Sequence, residues 1–293
     1  MPPYWENNNA NWTTVTISGN IDPEMRQFLP EPIIKILERD LKNKDTAEEN
    51  NEPEAQKTAP RIEYDYKMVN CNQDLKELTR KLKKSKVTNY ALLLYGVSGS
   101  GKSMYGQWLA QELGMPFIKK KASDLIDKYV GQTEQNIAEA FNEAKKEKSI
   151  LLFDEGDSFL FDRKYAEKDF SVQHVNELLT QMEDFEYPFI MTTNLKDKID
   201  QASMRRFIFK IRFDYMKPEN IKAGLKTYFG KGIKFTKEQY DKLTYICPGD
   251  FKVAKRKLDI LEDGKYTSQN VFDYLLKEQE EKDLNKGSNK INI

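Results

Sequence analysis

Two periodicities alternate along most of this chain. From about residue 61, short runs of adjacent apolar residues are separated by longer stretches in which apolar positions recur every three or four residues. The runs lie near 91–95, 116–119, 149–153, 188–192 and 207–213 and predict buried strands; the stretches between them predict helices. Strands alternating with helices predict an α/β domain, a parallel sheet sandwiched by helices, over 61–216. After Lys217-Pro218 the pattern is helical through 278, which predicts a small all-helical subdomain over 217–278, and 279–293 is expected to be a disordered tail. Upstream, "NWTTVTISGNI" (11–21) predicts a short strand pair, and "PEPIIKILERDL" a short helix opened by Pro32. Residues 42–60 contain no large apolar side chain, so 1–60 is expected to be an N-terminal segment ending in a solvated linker.

The first predicted strand runs into "GVSGSGKS": Gly96, Val97, Ser98, Gly99, Ser100, Gly101, Lys102 and Ser103. This fits G-x-x-x-x-G-K-[ST], a loop whose backbone N–H groups form a nest for phosphates. Lys102 is placed to reach the outer phosphates and the Ser103 hydroxyl to ligate Mg²⁺. The helix that follows turns its positive dipole end to the same place. The expected ligand is therefore a nucleotide with Mg²⁺.

A phosphate loop binds; the reaction must come from other residues. "SILLFDEGDSF" (149–159) is an apolar strand ending in Asp154-Glu155. There Asp154 can hold Mg²⁺ and Glu155 can polarise an attacking water. "FIMTTNLKDKI" ends its strand at Asn194, a neutral group able to position that water or sense the γ-phosphate, although Thr-Thr-Asn also starts ordinary turns. "DQASMRRF" presents Arg205 and Arg206, either as cations for phosphoryl transfer or as residues closing a helix C-terminus.

Composition narrows the class. Lys+Arg and Asp+Glu balance at 47 each, so no net charge draws the chain to nucleic acid or anionic lipid. Cys71 and Cys247 lack metal-type spacing and are expected as reduced thiols. No run reaches membrane-spanning length and the first thirty residues lack a signal pattern, so the expected location is cytoplasmic. His174, the single histidine, is expected on a helix surface.

The order of these motifs over about 65–260 resembles the AAA ATPases of the AAA+ superfamily. "GVSGSGKS" is similar to the family's Walker A, with Val97 where a proline is common. "LLFDEGDSF" resembles Walker B, with Arg163 at the usual downstream arginine, and "TTN" resembles sensor 1. "IDQASMRRF" resembles the second region of homology, whose paired arginines act in trans. "ASDLIDKYVGQTEQNIAEAFNEA" (122–144) is also family-like, and Tyr129-Val130-Gly131 corresponds to the pore loop that grips a threaded polypeptide. The resemblance implies a P-loop NTPase fold with a helical lid, a homo-oligomeric and most often hexameric ring, and a protein client. The alternative for Tyr129 is one more core tyrosine among fifteen. Lys252 stands where relatives carry a sensor 2 base, a position at which many members have no charge. A DNA-associated loader or an ATP-gated scaffold are the competing readings; too little chain follows 260 for an added DNA-reading module.

Overall fold

In the computed structural model, the described residues are 62–129, 131–160, 169–194 and 201–288, together with Thr16–Ile17, Asn20–Ile21 and Ile34. The chain divides into two compact units, Met1–Arg61 and Ile62–Ile293. In the first, β1 (Thr16–Ile17) pairs antiparallel with β2 (Asn20–Ile21), inside the stretch whose alternation predicted a strand pair. Ile34, in the predicted helix, is helical and buried; the 42–60 linker lies outside the described residues.

The second unit is built on a six-stranded sheet. Its strands are β3 (Asn70–Cys71), β4 (Ala91–Gly96), β5 (Phe117–Lys121), β6 (Ile150–Asp154), β7 (Phe189–Thr193) and β8 (Phe209–Asp214), in spatial order β3-β8-β4-β7-β6-β5. Five strands are parallel, as predicted, and β3 adds an antiparallel edge through Asn70↔Asp214 and Cys71↔Phe213. β3 had no signal in the sequence: two residues of Asn-Cys have no periodicity, and only pairing with β8 makes them a strand.

Pleating sends successive side chains to opposite faces, and helices cover both. Leu93, Leu151, Phe153 and Met191 face α4 (Gln132–Lys146), which contributes Ile137 and Phe141. Leu92, Leu94, Leu152 and Ile211 face α1 (Leu75–Lys84) and α2 (Lys102–Leu113), which contribute Leu78, Tyr105 and Leu109. The remaining helices of this half are α3 (Ala122–Leu125), α5 (Asp157–Leu160), α6 (Asp169–Asp184) and α7 (Gln201–Arg206). The chain leaves β4 toward β5 on one side and finally returns to β8 on the other. That reversal opens a crevice at the strands' carboxyl ends, where ligands of such sheets bind.

Beyond β8 come α8 (Pro218–Phe229), α9 (Lys237–Lys242), α10 (Pro248–Leu261) and α11 (Ser268–Ser288), around a core of Ile221, Leu225, Phe251, Leu258, Val271 and Leu275. Pro218 opens α8 at a position that needs no N–H donor, and Thr236 with Gln239 forms a capping box on α9. One expectation is corrected here. Residues 279–288 continue α11 as helix rather than forming a disordered tail. Their polar side chains find specific partners: Gln279 accepts from the Tyr245 N–H (2.8 Å) and donates to the Lys242 carbonyl (2.9 Å), and Lys282 donates to Asp250 (2.5 Å). Among the described residues, no helix is long and apolar enough to cross a membrane.

Candidate functional site

The loop from Gly96 to Ser103 bridges β4 and α2 at the crevice. At Gly96, φ is +121° and a Cβ would stand 2.1 Å from the Phe213 carbonyl oxygen, so only glycine lets β4 close against β8 there. Gly101, the residue before α2, has φ +94° and frees the chain to turn into the helix.

Lys102 is buried. Its ammonium donates to the Gly96 carbonyl (3.1 Å), the Val97 carbonyl (2.7 Å) and Asn194 Oδ1 (2.9 Å). Burial pushes its pKa down to about 8, against the opposing pull of Cys247, Asp157, Asp154 and Glu155. A lysine held so is desolvated and aimed where an anion would stabilise its charge.

The Ser103 hydroxyl donates to Asp154 Oδ1 at 2.5 Å, and the Thr192 hydroxyl donates to the same oxygen at 2.6 Å. Lys119 Nζ lies 2.6 Å from Asp154 Oδ2. Burial works against ionisation of Asp154, but hydrogen bonds from Lys119, Ser103 and Thr192 hold its pKa below the ordinary value. Ser103 and Asp154 are hard oxygen donors. Among the described residues no cluster of three His, Cys, Asp or Glu side chains could cage a metal. Two hard oxygens suit Mg²⁺, which keeps waters and takes phosphate oxygens for its other positions.

Glu155 has φ +58°, a left-handed conformation that costs a residue with a side chain on the order of 1 kcal/mol. Two bonds to β7 hold the turn: the Glu155 N–H donates to the Thr192 hydroxyl (3.1 Å) and the Gly156 N–H to the Thr192 carbonyl (2.8 Å). The Glu155 carboxylate is thereby exposed on the cleft. Asn194 is fixed through its backbone N–H, which donates to Asp157 Oδ1 at 3.1 Å; the Thr193 hydroxyl donates to the same oxygen.

These residues line a cleft of about 300 Å³. Ser98, Gly99, Ser100, Gly101, Lys102, Ser103 and Met104 form its floor, Asp154, Glu155, Thr192 and Asn194 one wall, and Tyr228, Pro248, Gly249 and Lys252 the helical side. The Gly249 N–H donates to the Gly99 carbonyl at 2.9 Å, so the start of α10 rests directly on the loop. Thr192, Asp157, Lys119 and Tyr228 were not singled out in the sequence. Thr192 and Asp157 sit within the "TTN" and "DEGD" stretches, a signal that could have found them. Lys119 and Tyr228 carry no motif.

Two predicted groups lie elsewhere. Arg205 and Arg206 end α7, exposed, and do not line this chain's cleft; Arg206 pairs with Glu183 at 2.5 Å. Arg163 and Val130 lie outside the described residues. His174 sits on α6 facing Glu134 of α4, its Nε2 3.6 Å from Glu134 Oε1, rather than turned freely to solvent. Cys71 and Cys247 are not joined by a disulfide.

Tyr129 is 66% exposed, which removes the core-tyrosine alternative. Its N–H donates to Asp127 Oδ1 (3.1 Å), the Asp127 N–H donates to Thr133 Oγ1 (2.9 Å), and Lys128 Nζ stands 5.0 Å from its ring centroid. The turn is ordered by its backbone and its neighbours, not by the ring. Tyr129→Ala is therefore expected to leave the thermal melt within about 0.5 kcal/mol of the unaltered chain, where a buried aromatic would cost about 3–5 kcal/mol. A large drop in melting temperature would mean that the ring packs.

Comparison with known proteins agrees with this geometry. Residues 92–215 match the model of the ATPase family associated with various cellular activities (AAA). The chain is 38% identical over 119 residues to the peroxisomal ATPase PEX1 of Saccharomyces cerevisiae, covering 39% of this chain and 11% of that protein. It is 30% identical over 201 residues to the uncharacterized protein ORF529 of Acidianus two-tailed virus, covering 60% of this chain and 37% of that one. It is 32% identical over 202 residues to a putative 26S proteasome regulatory subunit homolog of Methanothermobacter thermautotrophicus, covering 64% and 54%. In each case the match spans less than two thirds of the relative's own length. The α/β sheet, its strand order and the matched model agree: residues 92–215 form an AAA domain.

Proposed function

We propose that this chain binds ATP with Mg²⁺ in the cleft, hydrolyses it as part of a homo-oligomeric ring, most simply a hexamer, and spends the turnover on remodelling or translocating a protein client. One observation carries the reading. Lys102, Ser103, Asp154, Glu155 and Asn194 come from separate stretches of the chain, up to 92 residues apart, and line one cleft.

The roles follow from chemistry. Lys102 meets the outer phosphates. Ser103 and Asp154 would hold Mg²⁺, which when bound neutralises charge on the β- and γ-phosphate oxygens. Glu155 orients the attacking water and takes its proton. Asn194, fixed by Asp157, keeps that water or the γ-phosphate in line. Tyr228 offers an aromatic face to the base, and Lys252 a cation from the lid side. Arg205 and Arg206 serve the site of a neighbouring subunit, a role supported by their exposure away from their own cleft. Tyr129 meets the client, and a relative named as a proteasome regulatory subunit homolog supports a protein as that client. Balanced charge disfavours nucleic acid, and the cytoplasm suits the reduced thiols.

The test of the site is Lys102→Ala, titrated with a fluorescent ATP analogue in the presence of Mg²⁺. Losing a buried, charge-assisted contact is expected to weaken binding at least about tenfold. Unchanged affinity would remove the assignment. For the client reading, Tyr129→Ala should keep basal ATPase activity and lose the acceleration that an unfolded protein substrate produces; a variant still accelerated as before ends the role of Tyr129.

A further inference from the structure

Asp154 is over-supplied. One oxygen accepts two hydroxyls, from Ser103 and Thr192, and the other accepts the Lys119 ammonium at 2.6 Å. A carboxylate that serves a divalent cation can keep neutral hydroxyls beside it, but an ammonium competes for the same charge. Among the described residues, Lys119 is the only cation paired with Asp154: Lys102 is engaged by the Gly96 and Val97 carbonyls and Asn194, and Lys120 by Glu143 at 2.6 Å.

The two partners differ in their surroundings. The Asp154 side chain is 12% exposed and that of Lys119 42% exposed. A nearly buried carboxylate without a partner is costly, so something must neutralise it before any metal arrives. Lys119 meets that need from β5, the outermost strand of the sheet, where it pairs with Leu152, two residues before Asp154. Its long flexible stem on an open edge has a route into solvent that Asp154 lacks.

Resting on the nucleotide reading above, we propose that Lys119 is a displaceable stand-in for the divalent cation. Its ammonium holds Asp154 in the empty site and must swing out before the carboxylate can serve the metal, so Lys119 sets how tightly the site takes a divalent ion. The consequence is that metal binding is weakened by the competing lysine, and that the empty site stays ordered because of it.

The probe is Mn²⁺, followed by the electron paramagnetic resonance signal of the free ion, titrated into protein saturated with ADP. Lys119→Met keeps the length and removes the charge; it is expected to bind Mn²⁺ about tenfold more tightly than the unaltered chain, within the range that groups behind metal ligands command. Lys119→Arg keeps the charge and should stay near the unaltered value. Lys119→Gln keeps a donor for Asp154 without charge and should move with Lys119→Met, which covers a Met variant that does not fold. An unaltered chain that binds ADP while both neutral variants bind Mn²⁺ no more tightly overturns the role of Lys119 alone. An unaltered chain that binds no ADP, with or without metal, overturns the nucleotide reading and this proposal with it.

Discussion

Glu155→Gln is expected to bind ATP as the unaltered chain does and to hydrolyse it about a hundred to ten thousand times more slowly, the range a positioned general base commands. Glutamine keeps the shape and the hydrogen-bonding reach of the side chain but cannot take a proton. Binding should survive because the phosphate contacts come from the loop, not from Glu155, whose carboxylate is exposed on the cleft and outside the hydrogen bonds that hold Asp154. The backbone at Glu155 is left-handed and anchored to Thr192, and glutamine tolerates that anchoring as glutamate does. Single-turnover hydrolysis beside an equilibrium ATP titration separates chemistry from binding. Turnover within a few-fold of the unaltered chain would mean that another residue activates the water.

The second large effect belongs to the arginines. A cation delivered to the γ-phosphate from a neighbouring subunit is worth about 10³–10⁵ in rate. Arg205→Ala and Arg206→Ala should each lower hydrolysis steeply and leave ATP affinity nearly unchanged, since neither residue lines its own chain's cleft. Arg206 must give up its pair with Glu183, but both side chains of that pair are about half exposed, and such surface pairs are worth little. The decisive experiment mixes an Arg205→Ala/Arg206→Ala subunit with a Lys102→Ala subunit, each inactive alone. In a mixed ring, the intact cleft of the first can be served by the intact arginines of the second, and activity should return. Full-rate hydrolysis by a species that light scattering finds monomeric with ATP present would rule out shared sites.

Much of this protein is written locally. Runs such as "ALLLY" and "SILLFD" are legible as strands because both faces of a covered sheet must be apolar, and the glycines and lysine of "GVSGSGKS" are legible because a phosphate nest leaves few choices of residue. Asp154 and Glu155 are legible from standing at a strand's end. These features depend on residues adjacent in the chain, so the sequence alone determined them.

What it left open was decided by contacts between distant segments. The strand order that puts β4 between β7 and β8, and so places Asn194 beside Lys102, lies in pairings between distant strands, not in any run of residues. Asn70–Cys71 is a strand only because β8 offers it an edge, and residues 279–288 are helical because Gln279 and Lys282 find partners on the lid. The sequence left open a core position for Tyr129, and the turn places it in solvent. Thr192, Asp157 and Lys119 acquire their roles only as partners of Asp154, Asn194 and Glu155, across 35 or more residues of chain in every case. A pattern along the chain can report a residue's own preferences, but hydrogen bonds and charge pairing across the sheet are properties of two positions at once, and only the fold decides which two meet.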